Sequence, residues 1–142
     1  MPINSNNTIT IQALVNADLQ TAWDVYTNPE YITKWNFASD DWECPSATND
    51  IRTGGKLSSR MQAKDGSFGF DFEGIYDEVL PLKSIKYHMD DSRKVAITFE
   101  EVENGVKVTT IFDPESENPL EMQEGGWQAI LDNYKKCVEN KL

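Results

Sequence analysis

The chain has 142 residues, 39% of them hydrophobic, 11% aromatic and 26% charged, which is typical of one globular domain. Its 24 acidic residues against 13 basic ones give a net charge of -11, which repels phosphate backbones and anionic lipid head groups. Because the few basic residues are also scattered, the composition argues against nucleic-acid binding.

The sequence carries no membrane, export or metal signal. No apolar run is long enough to span a bilayer, and Met1 to Thr8 lack the basic and apolar segments of a secretory signal. We therefore predict a cytoplasmic protein. Cys44 and Cys137 lack the spacing of a zinc or redox motif and are interpreted as reduced thiols. With His88 as its one histidine, the chain cannot form a multi-histidine metal site, and we predict neither metal nor cofactor.

The N-terminal third predicts one strand and two helices. Apolar residues alternate over residues 8–15, which indicates an opening strand. Helical spacing follows from Asp18 to Trp35. Asn28-Pro29 interrupts it, because proline disfavours helical geometry in the residue before it and suits the first position of a new helix. A second short helix is expected over Pro29 to Lys34.

From Lys56 to Phe112 the apolar residues have a period of two and are separated by turn signals, which predicts an antiparallel meander. A two-residue loop at Asp65-Gly66 would pair Ser59 with Phe72 and Met61 with Phe70. Applied to Asn104-Gly105, the same rule pairs Ile97 with Phe112, and it leaves the apolar side chains of both strands on one face.

A long helix is predicted to end the chain. Asn118 is expected as N-cap, with Pro119 as the first helical residue and Glu121 completing a capping box. Its apolar stripe comprises Trp127, Ile130, Leu131, Tyr134 and Val138. Gly125-Gly126 inside the helix indicates close packing on the sheet, a frayed first turn, or backbone next to an internal cavity. The expected architecture is α+β, with this helix on the concave face of a curved antiparallel sheet.

Several segments together resemble a known family. These segments read ADLQTAW at 17–23, TNPE at 27–30 with Trp35, DIRTGGK at 50–56, GIYDEVLP at 74–81 and GW at 126–127. They are similar to segments of START-like domains, in the branch named after the activator of the heat-shock chaperone ATPase. The resemblance implies a helix-grip fold, in which the sheet wraps around the C-terminal helix and encloses a hydrophobic cavity. It also implies a range of functions, from lipid and polyketide binding through aromatic cyclisation to co-chaperone activity, so fold alone does not decide function.

Aromatic and apolar residues are the main candidates for a ligand site. Periodicity brings a set of them between sheet and helix, where they either fill the core or, as the resemblance implies, line a cavity. The tryptophan-rich segment 35–44 is interpreted either as a lid contacting ligand or as an anchored connection. The candidate ligand-binding residues are Trp35, Trp42, Ser59, Met61, Phe70, Phe72, Tyr76, Trp127, Leu131 and Tyr134.

Charged residues outside that set receive structural interpretations. His88 is expected to face solvent, because it alternates with the apolar positions of its strand. Asp50 and Arg52 are expected to form an ion pair at a turn. The acidic stretch that includes Glu115 and Glu124 is interpreted as a solvated helix start, with docking of a basic partner as the alternative.

Three functions are carried forward. The first is noncatalytic binding of a small, mainly hydrophobic molecule, in a stress or metabolic context. The second, implied by the resemblance, is a co-chaperone-like module that stimulates a chaperone ATPase. The third is a cyclase- or hydrolase-type enzyme that uses Tyr76, His88 or a buried carboxylate as acid or base. A monomer and a homodimer, formed by pairing of a sheet edge, are both compatible with the pattern.

Overall fold

The computed structural model describes residues 8–140 and forms a curled seven-stranded half-barrel around one long helix. The elements in chain order are β1 (Ile9–Val15), α1 (Leu19–Thr27), α2 (Pro29–Ile32), β2 (Trp42–Asn49), β3 (Lys56–Ala63), β4 (Gly69–Leu80), β5 (Ser84–His88), β6 (Lys94–Val102), β7 (Gly105–Phe112) and α3 (Leu120–Asn140). The sheet is antiparallel, in the order β1-β7-β6-β5-β4-β3-β2. The predicted α+β helix-grip fold is confirmed.

The break between the first two helices forms as predicted, and Asn28 makes it from both sides. Its backbone N–H donates to Asp24 O at 2.9 Å at the end of α1, and its side-chain Oδ1 accepts from Glu30 N at 3.0 Å at the start of α2. Pro29 occupies the first turn of α2, where its missing N–H leaves no hydrogen bond unmade. Asn28 thereby fixes the junction between the two helices.

The β3–β4 hairpin has the predicted register. Ser59 pairs with Phe72 and Met61 with Phe70, and a hydrogen bond of 2.8 Å from Ala63 N to Phe68 O closes the pair at the turn. The faces are confirmed as well, because Ser59 and Met61 are both buried. This hairpin supplies much of the concave wall described below.

The β6–β7 register differs from the prediction by two residues. Ile97 pairs with Thr110 rather than Phe112, because the two-residue loop is Glu103-Asn104 and Gly105 is already the first residue of β7. Gly105 has φ +152°, and a Cβ there would lie 2.1 Å from Val15 O, so glycine is needed beside β1 rather than inside the loop. The shift is even and therefore changes no face. The predicted apolar set stays buried.

Strand β2 was not predicted. It lies at the edge of the sheet and pairs with β3, with a register irregularity between Glu43 and Ser46 that contains Pro45. Proline removes one ladder hydrogen bond and is tolerated only on edges and at bulges. The bulge also breaks the alternation of buried and exposed residues by which a strand is recognised in sequence. The predicted loop 35–44 therefore ends inside a strand.

Helix α3 begins at Leu120, and the predicted capping box does not organise its start. The Asn118 side chain donates to Glu115 instead of capping, while buried Gln123 accepts from Glu115 N at 2.8 Å and donates to Asn118 O at 2.8 Å. The predicted apolar stripe does face the core, with Leu131, Tyr134 and Val138 buried and the other two members packed against them. In the described part of the chain no helix is long and apolar enough to cross a membrane.

Gly125 and Gly126 lie inside α3, and a Cβ built at either would meet no atom within 4 Å. Close packing on the sheet is therefore not the reason for these glycines.

Replacing either glycine by alanine should stabilise the protein. Glycine in a helix interior costs about 0.5–1 kcal/mol relative to alanine, and the added methyl groups have room. We expect Gly125→Ala and Gly126→Ala each to raise the free energy of unfolding by about that amount in urea denaturation. The control is Gly105→Ala, which should lower it by about 1–3 kcal/mol because of its positive φ and the Val15 carbonyl. Destabilisation by both α3 variants would contradict the prediction.

Candidate ligand-binding cavity

A cavity of about 320 Å³ lies between the concave face of the sheet and α3. Its wall is built by inward residues of β2, β3, β4 and β5, by single residues of β1 and β7, by the apolar stripe of α3, and by the ends of α1 and α2. Trp127 forms one side, stacked on Phe112 with ring centroids 3.9 Å apart and edge-on to Phe72 at 6.2 Å. The sheet and the helix therefore meet through aromatic rings and leave a concave space beside them.

Most of the predicted candidates meet at this cavity. Those that line it are Trp35, Ser59, Met61, Phe70, Phe72, Tyr76, Trp127 and Leu131. The structure does not place Trp42 or Tyr134 on the wall.

Trp42 lies one row beyond the cavity. Trp42 pairs with Ala63 of β3. Ala63 lies two residues beyond Met61, the wall residue of β3 that pairs with Phe70. Its ring packs against Phe68 and Phe70 at centroid distances of 5.9 and 6.1 Å. Phe68 is 62% exposed and Phe70 40% exposed, so these three rings, which we call the rim cluster, form an apolar surface next to the cavity. Segment 35–44 was interpreted either as a lid contacting ligand or as an anchored connection. Its two tryptophans differ: Trp35 faces the cavity, whereas Trp42 packs in the rim cluster.

Tyr134 lies behind the wall rather than on it. It is fully buried, and its hydroxyl donates to Ala22 O of α1. Its ring packs edge-on to Tyr26 and Trp35 at 5.1 and 5.3 Å. Helical periodicity places Tyr134 on the correct side of α3, but the rings of Tyr26 in α1 and Trp35 after α2 line the cavity in its place.

A chain of hydrogen bonds joins the cavity wall to the C-terminal end of α1. The Trp35 indole Nε1 donates to Val25 O at 2.9 Å, and the Asn49 side-chain Nδ2 donates to Thr27 O at 2.7 Å. The Tyr76 hydroxyl in turn hydrogen-bonds to Asn49 Oδ1. Trp35, Asn49, Thr27 and Tyr76 all line the cavity. The last four carbonyls of any helix lack partners within it, and these side chains supply partners for two of them.

The sequence prediction missed several polar wall residues. Asn49 lies in strand β2, which the sequence does not predict. Thr27 and Tyr26 are predicted as part of α1, without a role at a site. Tyr87 lies directly across from Tyr76 in the β4–β5 pair, so extending the register from β4 to β5 would have located it.

The backbone around Tyr76 is held by the turn between β2 and β3. Gly54 N donates to Tyr76 O and Tyr76 N donates to Gly55 O, both at 2.9 Å. The predicted Asp50–Arg52 ion pair at this turn is confirmed, with Nε 2.9 Å from Oδ2. Both side chains of that pair are exposed, so it contributes little to stability and acts on the shape of the turn.

Comparison with known proteins identifies the family. Residues 16–139 match the family model described as Activator of Hsp90 ATPase homolog 1-like protein. The chain belongs to this family. Its members bind hydrophobic ligands or interact with Hsp90.

Solved structures agree with this assignment. The chain is similar to an AHSA1-like protein from Aeromonas hydrophila, with 36% identity, coverage of 94% of this chain and 93% of the other, and a TM-score of 0.89. It is also similar to the protein Chr148 from Cytophaga hutchinsonii, with 42% identity, coverage of 95% and 94%, and a TM-score of 0.82. The protein NE0264 from Nitrosomonas europaea, 18% identical with full coverage of both chains and a TM-score of 0.84, shares the fold. No curated protein matches the chain.

In this member of the family the cavity wall is nearly free of charge. Burial raises the pKa values of Tyr26, Tyr76 and Tyr87 well above the usual range of a phenol, and a hydrogen bond with Thr110 opposes the shift at Tyr26. Arg93 reaches the wall with its Nε held 2.7 Å from Asp91 Oδ2. The wall therefore offers neutral hydroxyl groups around an apolar space.

His88 lies outside the cavity, as its alternation predicts. Its side chain is 40% exposed, and its Nδ1 lies 2.8 Å from Asp77 Oδ1. Glu115 of the acidic stretch accepts hydrogen bonds from the backbone of Glu117 and Asn118. Neither feature touches the cavity.

The buried tyrosines make stability fall at alkaline pH. Their pKa values are raised in the folded state, so above about pH 10 the unfolded chain loses phenol protons first and gains stability relative to the fold. We expect the free energy of unfolding in urea to be insensitive to these groups below about pH 9 and to fall above about pH 10. Tyr87→Phe should make the decline shallower by about 1.4 kcal/mol per pH unit. An unchanged slope in that variant would contradict the assignment.

Proposed function

We propose that this protein binds a small, mainly hydrophobic molecule in the cavity between sheet and α3, without converting it chemically. The observation that carries the proposal is the cavity itself, about 320 Å³ in volume and walled largely by aromatic and aliphatic side chains. Ligand sites in proteins are concave, mainly apolar and about 300–1,000 Å³ in size, with a few polar groups that orient the ligand.

The polar groups of the wall support binding rather than acid-base catalysis. A general acid or base works best with a pKa near the operating pH. The tyrosines of the wall have pKa values moved away from neutrality by burial, and His88 lies on the outside of the sheet. Among the described residues of the wall there is no histidine, carboxylic acid, lysine or cysteine, so the cyclase- or hydrolase-type alternative lacks a group with a pKa near neutrality there.

Filling the cavity should abolish binding. Ser59 lies buried on the wall, and Ser58, its neighbour on β3, points to the other face of the sheet, where its hydroxyl donates to Glu73 Oε2 at 3.2 Å. With the neutral fluorescent probe N-phenyl-1-naphthylamine, we expect Ser59→Phe to raise the Kd at least about tenfold and Ser58→Phe to change it less than about twofold. Circular dichroism checks that both variants fold.

Native mass spectrometry of protein purified from its source organism should also show a copurified small molecule that Ser59→Phe loses. If wild-type protein neither binds the probe nor carries a molecule, or if both variants weaken binding equally, the proposal is wrong.

A second candidate function is stimulation of a chaperone ATPase, supported by the family match and by exposed apolar side chains. Phe68 of the rim cluster and Leu120 and Met122 at the start of α3 are all more than half exposed. The rings of the rim cluster contact one another, and contiguous exposed apolar patches mark protein interaction sites.

If this second function operates, micromolar protein should raise ATP turnover by purified Hsp90 from the same organism. The double variant Leu120→Ser/Met122→Ser should reduce the effect while Ser59→Phe leaves it intact, because the first alters the surface and the second the interior. No stimulation and no binding at micromolar concentrations would exclude this function.

A further inference from the structure

The polar end of the cavity has a fixed hydrogen-bond direction. Thr27 O is a backbone carbonyl and only accepts, so the Asn49 amide must present its Nδ2, which lies 2.7 Å away. The amide oxygen of Asn49 then faces the Tyr76 hydroxyl, and since a carbonyl oxygen cannot donate, the proton of that hydroxyl is committed to Asn49. What remains of the Tyr76 hydroxyl for a ligand is an oxygen lone pair.

Thr27 repeats this arrangement. Its Oγ1 donates to Trp23 O at 2.9 Å within α1, so its proton is committed to a helix carbonyl and its oxygen is left to accept. Thr27, Asn49 and Tyr76 all line the cavity, and Asn49 bonds to both of the others. We call the hydroxyl oxygens of Thr27 and Tyr76 the acceptor patch. Both owe their direction to backbone carbonyls of α1, those of Trp23 and Thr27.

Charge on the wall does not change this conclusion. Arg93 is the charged side chain among the wall residues in the described range. Its Nε is paired with Asp91 at 2.7 Å, and the hydrogen bonds that set the direction of Thr27, Asn49 and Tyr76 do not involve it. The burial-raised pKa values of the wall tyrosines keep these groups neutral at physiological pH. A ligand that meets the acceptor patch needs no net charge, but it does need a donor.

We propose that the ligand is a neutral, mainly apolar molecule with a hydroxyl or N–H group that donates to the Tyr76 oxygen. This inference rests on the proposed function and deepens it. Molecules whose polar group only accepts, such as ethers, ketones and esters, meet lone pair against lone pair at this end of the cavity. They leave a buried acceptor unsatisfied and are therefore selected against.

A matched pair of probes tests the direction. At neutral pH, 1-naphthol carries a donor, while 1-methoxynaphthalene has the same ring with an ether oxygen that only accepts. Chemical-shift titration of nitrogen-15-labelled protein gives both Kd values and locates the probes. For wild-type protein we expect 1-naphthol to bind about tenfold more tightly, since one buried hydrogen bond is gained and one unmet acceptor avoided.

Two variants separate this effect from general apolar binding. Asn49→Leu releases the Tyr76 proton, so the hydroxyl can donate to the ether, and the preference should fall to about twofold or less. The double variant Tyr76→Phe/Asn49→Leu removes the Tyr76 hydroxyl of the acceptor patch. It should bind both naphthalenes without preference. Circular dichroism monitors folding, and if the Asn49→Leu substitution prevents folding, the comparison of the two probes on wild-type protein still tests the inference.

The outcomes distinguish failure of ligand binding from failure of the donor preference. If folded wild-type protein binds neither probe nor N-phenyl-1-naphthylamine, the proposed function fails and this inference with it. If wild-type protein binds both naphthalenes with a preference under about threefold, or if the wild-type preference for 1-naphthol persists undiminished in both variants, the binding function stands and the donor inference is wrong.

Discussion

The C-terminal carbonyl groups of α1 are the constraint on which the rest of the site depends. A helix of nine residues leaves its last carbonyls without partners inside the helix, and here that end is turned toward the protein interior. A buried carbonyl without a donor costs about 1–3 kcal/mol. Trp35 and Asn49 provide donors to Val25 O and Thr27 O from opposite directions, one from the segment after α2 and the other from edge strand β2. Helix end and sheet edge are thereby joined.

These same donors help keep the cavity open. The indole of Trp35 donates to α1, and its ring packs against Tyr26 and Tyr134 at centroid distances of 5.2 and 5.3 Å. Tyr26 also packs edge-on to Phe99 of the sheet at 5.5 Å. Aromatic pairs prefer offset or edge-to-face arrangements with centroids about 4.5–7 Å apart, so these contacts fix the spacing between α1, the segment after α2 and the sheet. The aromatic rings around Tyr26 therefore support the side of the cavity that α1 and the segment after α2 form.

How much could be read from the sequence depended on whether local signals agreed with each other. In the β3–β4 hairpin, turn residues and alternation indicated the same register, and pairs such as Ser59 with Phe72 are present. In β6–β7 the Asn104-Gly105 signal was assigned to the loop, whereas Gly105 serves the contact with Val15. Because the error was even, the buried face was right although the pairs were wrong.

Periodicity predicted which face of the sheet and which side of α3 form the candidate site, but not the extent of the cavity along them. Alternation on β3 and β4 and the stripe of α3 located most of the apolar wall. Periodicity does not say how far along a strand the cavity extends, which is why Trp42 falls one row outside, or which rings intervene, which is why Tyr134 falls behind the wall. Asn49 was beyond reach because a proline and a bulge obscure its strand.

The loss of Asn49 from the prediction matters more than its size suggests, because this residue gives the cavity its polarity. A tyrosine or threonine hydroxyl both donates and accepts, so a list of wall residues cannot say which kind of ligand group they prefer. The helix carbonyls remove this ambiguity by taking the protons of Thr27 directly and of Tyr76 through Asn49. The acidic surface, with its net charge of -11, therefore says little about the ligand. The backbone geometry at the end of one short helix constrains its chemistry more closely than either the surface charge or the composition of the wall.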